Sequence, residues 1–136
     1  MRDRLGVIYF PHNHFLYVVA RAGDQYGEAP AKVGITSNVR GRIYTIQTSC
    51  PFRLEIVELI AFPTRQMAQD IETATHKSLQ ACRMAGEWFD IEPTEAYRTA
   101  ARHLRATLAR QISDPEDLQD TLTLMGNVEI AGLWGE

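Results

Sequence analysis

Three short runs rich in β-branched and aromatic residues, each bounded by proline, glycine, serine or asparagine, constrain this chain most. Residues 15–20, 31–36 and 54–62 read as strands. Gly23, Asp24, Gly27 and Pro30 punctuate the stretch between the first two, so residues 22–30 are a loop and the pair is a hairpin with a long connection. Ser37 or Asn38 caps a helix running to about Thr48, and Pro51 follows its end. Pro63 ends the third strand, and Thr64 caps a helix over about residues 65–82. Residues 87–91 form a short extended piece. Pro93-Thr94 opens a helix to about Ile112, and Asp114-Pro115 opens a last short one to about Met125. Residues 6–10 offer one more strand, closed by Pro11. This order predicts an α/β (α+β) fold: a small, mainly antiparallel three-stranded sheet flanked by helices, with a C-terminal helical extension. Residues 1–92 are expected to form the core, with 1–13 as an N-terminal extension. Residues 93–136 are expected to pack on the same domain as a helical extension with an acidic end.

Charge divides the chain. The 136 residues carry a net −3. Residues 1–112 hold all 14 Lys and Arg against 11 of the 17 Asp and Glu, a net +3. Residues 113–136 hold the other six acids and no base, a net −6. An average that argues against nucleic-acid binding therefore hides a mildly basic body and an acidic tail. Apolar runs fall far short of the ~20 residues that span a bilayer, so no membrane partner is expected. No charged-then-apolar leader opens the chain, which points to the cytoplasm. Cys50 and Cys82 form no C-x₂-C cluster, so two reduced thiols are expected rather than a zinc site.

Five features follow one another in order. Tyr17 stands in the first strand. Lys32-Val33-Gly34-Ile35-Thr36 forms the second. Arg42 comes eight residues after Gly34, with Arg40 beside it. Glu72 and His76 lie one helical turn apart. Gly86-Glu87-Trp88-Phe89 closes the set. Singly, each has an ordinary reading: a core tyrosine, a solvated strand end, exposed helix charges, an i,i+4 polar pair and core aromatics. As an ordered set they resemble the GIY-YIG nuclease superfamily. The likeness is greatest to its bacterial and phage branch, with K-[IV]-G-I-T, E-x-x-x-H and G-E-W-F motifs. It covers about residues 14–92. The first motif falls on Phe15-Leu16-Tyr17 and keeps the tyrosine. The second falls on Lys32-Val33-Gly34 and keeps the glycine, with lysine in place of its tyrosine. The helix arginine falls on Arg42 and the metal-binding glutamate on Glu72. The late asparagine has no match, and Glu87 lies near its place, where it can brace an arginine.

The resemblance implies a metal-dependent endonuclease that hydrolyses phosphodiester bonds in DNA, or RNA. The residue chemistry suits the same assignment. Phosphodiester cleavage needs an activated water, a sink for transition-state charge and help for the leaving oxygen. Glu72 supplies one hard carboxylate for Mg2+ or Mn2+, which keeps most of its waters. Arg42 offers a planar fork to a phosphate. Tyr17 orients or deprotonates water, and Lys32 is the cation expected to lower its pKa. Gly34 allows close approach of a phosphate. His76 shares the face of Glu72 and serves as shuttle, phosphate donor or second ligand. Arg40 adds a phosphate contact.

In the 94–112 helix, Tyr97, Ala101, Leu104, Leu108 and Ile112 form an apolar stripe, and Arg98, Arg102 and Arg105 a separate row that can follow a phosphate backbone. The acidic segment after it carries Leu118, Leu122, Leu124 and Met125, so it is expected to dock, masking the arginines. Alternatively it binds a protein partner or a second copy of the chain through residues 113–136, with Trp134 near its end. The missing asparagine motivates a second functional reading: a catalytically inactive module that binds nucleic acid or protein, such as a phage or host regulatory protein.

Overall fold

The structure, a computed structural model, describes residues 14–22 and 29–126. The strand expected at residues 6–10, most of the 22–30 loop and the apolar end around Trp134 lie outside the described residues.

β1 (His14–Arg21) is the strand around which the others assemble. Phe15 through Ala20 are all buried, with no alternation. Side chains alternate between the two faces of a strand, so both faces of β1 are covered. β2 (Ala31–Thr36) and β3 (Leu54–Phe62) flank it, both antiparallel. β4 (Trp88–Phe89) adds to the free edge of β2, giving the order β3-β1-β2-β4. The sheet therefore has four strands rather than three. The extra one is the extended piece near residues 87–91, whose two paired residues are too few to show a period.

The helices start where the capping residues place them. α1 (Val39–Thr48) is capped by Asn38, whose side chain accepts the Gly41 N–H at 3.1 Å. The Thr36 hydroxyl accepts the Asn38 N–H at 3.0 Å, tying the end of β2 to the start of α1. α2 (Arg65–Ser78) is capped by Thr64, which accepts the Met67 N–H at 3.2 Å. The α-helix stops at Ser78, short of the expected end near residue 82. Leu79 is buried, and residues Gln80–Cys82 tighten into a 3₁₀ turn that delivers Arg83 in extended conformation beside Phe89.

α3 (Pro93–Ala109) buries Ala96, Thr99, Ala100, Leu104 and Leu108. This face is rotated from the expected stripe, leaving Tyr97, Ala101 and Ile112 only half-buried. The small side chains of Ala96 and Ala100 allow the helix to approach α2 and the sheet closely, so packing selects them over the larger Tyr97. The helix also ends three residues before Ile112, whose N–H returns to the Leu108 carbonyl. α4 (Pro115–Gly126) docks through Thr121 and Met125, chiefly on β3. No helix among the described residues is long and apolar enough to cross a membrane. Cys50 and Cys82 are free and half-buried.

Candidate functional site

The β1–β2 register sets Tyr17 directly opposite Gly34. A Cβ built on Gly34 would fall 2.2 Å from the Tyr17 hydroxyl oxygen and 2.5 Å from Glu87 Oε1. Only a residue without a side chain lets the tyrosine lie across the neighbouring strand. Tyr17 is fully buried, hydroxyl included, with its oxygen enclosed by Gly34, Arg42 and Glu87.

Glu87 arrives from the other end of the sheet. The Met84 N–H donates to the Trp88 carbonyl, and the Trp88 N–H to the Ala85 carbonyl, closing a tight turn. Gly86 sits in that turn at φ 56°, in the left-handed region that suits glycine. Arg83 Nε donates to the Gly86 carbonyl at 2.8 Å, and the Glu87 carbonyl accepts the Val33 N–H at 3.0 Å. The Gly86-Glu87-Trp88-Phe89 motif is thus one device: a glycine turn, a carboxylate and a two-residue strand that fixes it against β2.

The polar groups form a chain. Arg42 Nε donates to the Tyr17 hydroxyl at 3.3 Å, and that hydroxyl donates to Glu87 Oε1 at 3.0 Å. The same carboxylate oxygen lies 3.6 Å from Lys32 Nζ and 3.8 Å from Arg42 Nη2. The Lys32 side chain is only 12% exposed. An ammonium so enclosed needs an anion, and Glu87 is that anion. Lys32 Nζ also stands 5.5 Å from the centre of the Trp88 ring, in cation–π range.

Burial pushes the Tyr17 hydroxyl well above the ordinary phenol range. The Arg42 hydrogen bond opposes this, and the Glu87 charge adds to it. Tyr17 therefore keeps its proton at neutral pH. Lys32, expected to lower that pKa, is engaged by Glu87 instead. Arg42 is held more firmly protonated, chiefly by its hydrogen bond to Tyr17.

Glu72 faces the same cluster from α2. Burial raises its carboxyl; the His76 charge, an Ile35 backbone hydrogen bond and Arg42 lower it, and Glu87 raises it further. His76 Nε2 lies 2.8 Å from the Val33 carbonyl oxygen. A carbonyl only accepts, so Nε2 carries the proton and Nδ1 is the ring's remaining nitrogen. The ring packs 5.0 Å from Phe89. Of the predicted residues, Tyr17, Lys32, Gly34, Arg42, Glu72 and His76 thus meet around the middle of β2. Arg40 is exposed on α1.

Arg98, Arg102 and Arg105 are exposed on α3 and line a groove completed by Gln119, Leu122, Thr123 and Gly126 of α4. Arg98 pairs with Glu95 on its own helix. The α4 residues lining this groove are not acidic. Glu87 is the member of the polar cluster that motif spacing undervalued. Its signal was the glycine before it, which marks a turn.

The family comparison matches residues 14–104, from β1 through most of α3, to the T5orf172 domain. The chain belongs to the T5orf172 domain family. This family has a GIY-YIG-like fold and consists of nuclease-related or DNA-binding modules. No curated protein and no solved structure matches the chain. For this T5orf172 domain, the matched stretch contains every residue of the polar cluster.

Proposed function

We propose that the protein is a metal-dependent endonuclease that hydrolyses phosphodiester bonds in DNA through the cluster around Gly34. The observation that carries this reading is the continuous donor chain Arg42–Tyr17–Glu87, with Lys32 and Glu72 beside it. The scissile phosphate lies against Arg42, whose fork reaches two of its oxygens, and Lys32 adds a second positive charge.

The raised pKa of Tyr17 excludes a standing phenolate, but it suits a relay. The hydroxyl oxygen accepts from Arg42 and donates to Glu87, which leaves one lone pair for a proton from the attacking water; Tyr17 is fully buried at rest, so that water reaches it as the site opens to the phosphate. As water attacks phosphorus, Tyr17 takes that proton and passes its own to Glu87. The phenol stays neutral throughout; the bond from phosphorus to the leaving oxygen breaks, and that oxygen takes its proton from solvent water. Release of Glu87 from its charge also frees Lys32 and Arg42 to meet the transition state.

The residues present fit a divalent cation of the Mg2+ or Mn2+ kind. Glu72 is one half-buried hard oxygen ligand, and Mg2+ is held by one or two carboxylates while keeping its waters. Such an ion, when bound, polarises a phosphoryl oxygen. A half-buried carboxylate raised by desolvation gains most from a nearby positive charge.

The test is cleavage of single-stranded DNA, duplex DNA and RNA with Mg2+ or Mn2+ and with chelator, beside Glu72→Ala. Metal-dependent cutting that the variant lacks is expected. Binding without cutting of any substrate refutes the enzyme and leaves a nucleic-acid-binding module. That second reading draws on the resting pairing of Glu87 with both site cations.

A further inference from the structure

A groove of about 520 Å3 opens beside the polar cluster and shares Lys32 and Arg42 with it. That volume lies in the range of small-ligand sites. The groove displays apolar side chains that a soluble surface ordinarily hides: Phe52 is 50% exposed and Met84 60%. The Arg21 guanidinium lies 4.3 Å from the centre of the Phe52 ring. Trp88 also lines it, next to the Lys32 ammonium. None of the described residues that line it is acidic.

We infer that this groove takes an unstacked nucleobase of a single-stranded nucleic acid, whose adjoining phosphate lies on Lys32 and Arg42. Flat aromatic faces and a guanidinium on a ring are platforms on which bases stack. Arg21, Lys32 and Arg42 give the groove three cations, two of which share the single Glu87 carboxylate behind them, and a phosphodiester backbone complements that surplus of positive charge. In a duplex the base faces are already stacked on one another, so the platform has nothing to receive. A splayed or single-stranded segment presents both parts at once: a π face for the groove and a phosphate for the cluster. The inference rests on the nuclease reading for its direction of travel, since it places the strand running from the groove into the cleavage site.

Binding by the full chain is measured by fluorescence anisotropy in chelator. The probes are a labelled 12-nucleotide oligo-dT, an oligo-U of the same length, a 12-base-pair duplex and an acidic peptide. Phe52→Ala is expected to weaken both single strands by roughly five- to 150-fold, the worth of one base–aromatic stack, and the duplex by less than about twofold. Phe52→Tyr restores the single-strand affinity. Circular dichroism melts check that both variants fold. Equal losses on single strand and duplex, no loss on either, or tighter binding of the peptide than of the single strands overturns the inference. Preference between oligo-dT and oligo-U assigns the strand to DNA or RNA. Cleavage is scored separately with Mg2+. Duplex cutting that ignores Phe52 overturns the groove and keeps the nuclease. Phe52-dependent single-strand binding with no cutting keeps the groove and overturns the nuclease.

Discussion

Replacing Gly34 by alanine tests the geometry of the site with a single methyl group. The generic expectation is stabilisation, because glycine inside a strand costs about 0.5–1 kcal/mol relative to alanine. Here the methyl carbon would lie 2.2 Å from the Tyr17 hydroxyl oxygen and 2.5 Å from both Tyr17 Cζ and Glu87 Oε1. The tyrosine ring is fully buried in the central strand and cannot swing away freely. Overpacking of this kind costs about 1–3 kcal/mol. The net is a loss on the order of 1–2 kcal/mol, the opposite sign to the generic rule. For a chain of this size that is a fall in Tm of about 3–10 °C. Urea unfolding followed by circular dichroism measures it. The clash also drives the hydroxyl from Glu87, so cleavage falls at least about tenfold at temperatures where the variant is folded. The Tyr17→Phe background removes the nearest clashing atom, so Gly34→Ala costs less there, with a coupling of about 0.5 kcal/mol or more. An unchanged or raised Tm with full activity refutes the close approach and the hydrogen-bond chain built on it.

Three further outcomes follow from the charges. Glu87→Gln keeps an acceptor for Tyr17 but removes the anion from Lys32 and Arg42. DNA binding in chelator strengthens, its dependence on log salt steepens by up to about 0.9 for each freed cation, and cleavage falls by about a hundredfold or more. Glu72 has its carboxyl raised on folding, so its ionised form opposes the native state at pH above the carboxyl's unfolded value and ceases to do so as pH drops below it. Glu72→Gln therefore raises Tm slightly at pH 7, with the difference vanishing near pH 4; Mg2+ at ten times its Kd stabilises the wild type by about 1.4 kcal/mol and the variant not at all. Arg42→Lys keeps the charge but loses the fork and the bond to Tyr17, so steady-state kinetics show kcat down by about tenfold or more with little change in DNA affinity.

The sequence spoke clearest where single residues impose geometry. Asn38 and Thr64 begin α1 and α2 because a side-chain oxygen there satisfies an orphan N–H, and Pro63 ends β3. The ordered motifs singled out six residues that the fold brings together, since β1, β2, α1 and α2 each have a boundary their own residues define. Glu87 was less visible. Its bond to Tyr17 spans 70 positions and depends on how a two-residue strand pairs with β2. The end of α2 depends on where Leu79 is buried, and the buried face of α3 on how closely two alanines approach their neighbours. Neither is a property of the local sequence. The groove draws Arg21, Phe52, Met84 and Trp88 from three separated segments, so no window of the chain contains it.

The pairing of Tyr17 with Gly34 carries a consequence for how this chain can vary over evolutionary time. Strand side chains alternate, so one residue gained or lost beside Tyr17, unless absorbed by an irregularity like the one between Val18 and Val19, turns the hydroxyl to the far face and exchanges its neighbouring core residues with it. Site geometry and packing are lost together in that case. The connection between β1 and β2 carries no such penalty, because the ladder rather than the loop length sets which residue faces Gly34. Length variation is therefore free to accumulate between residues 22 and 30, where added segments lengthen the chain without moving Tyr17 off Gly34.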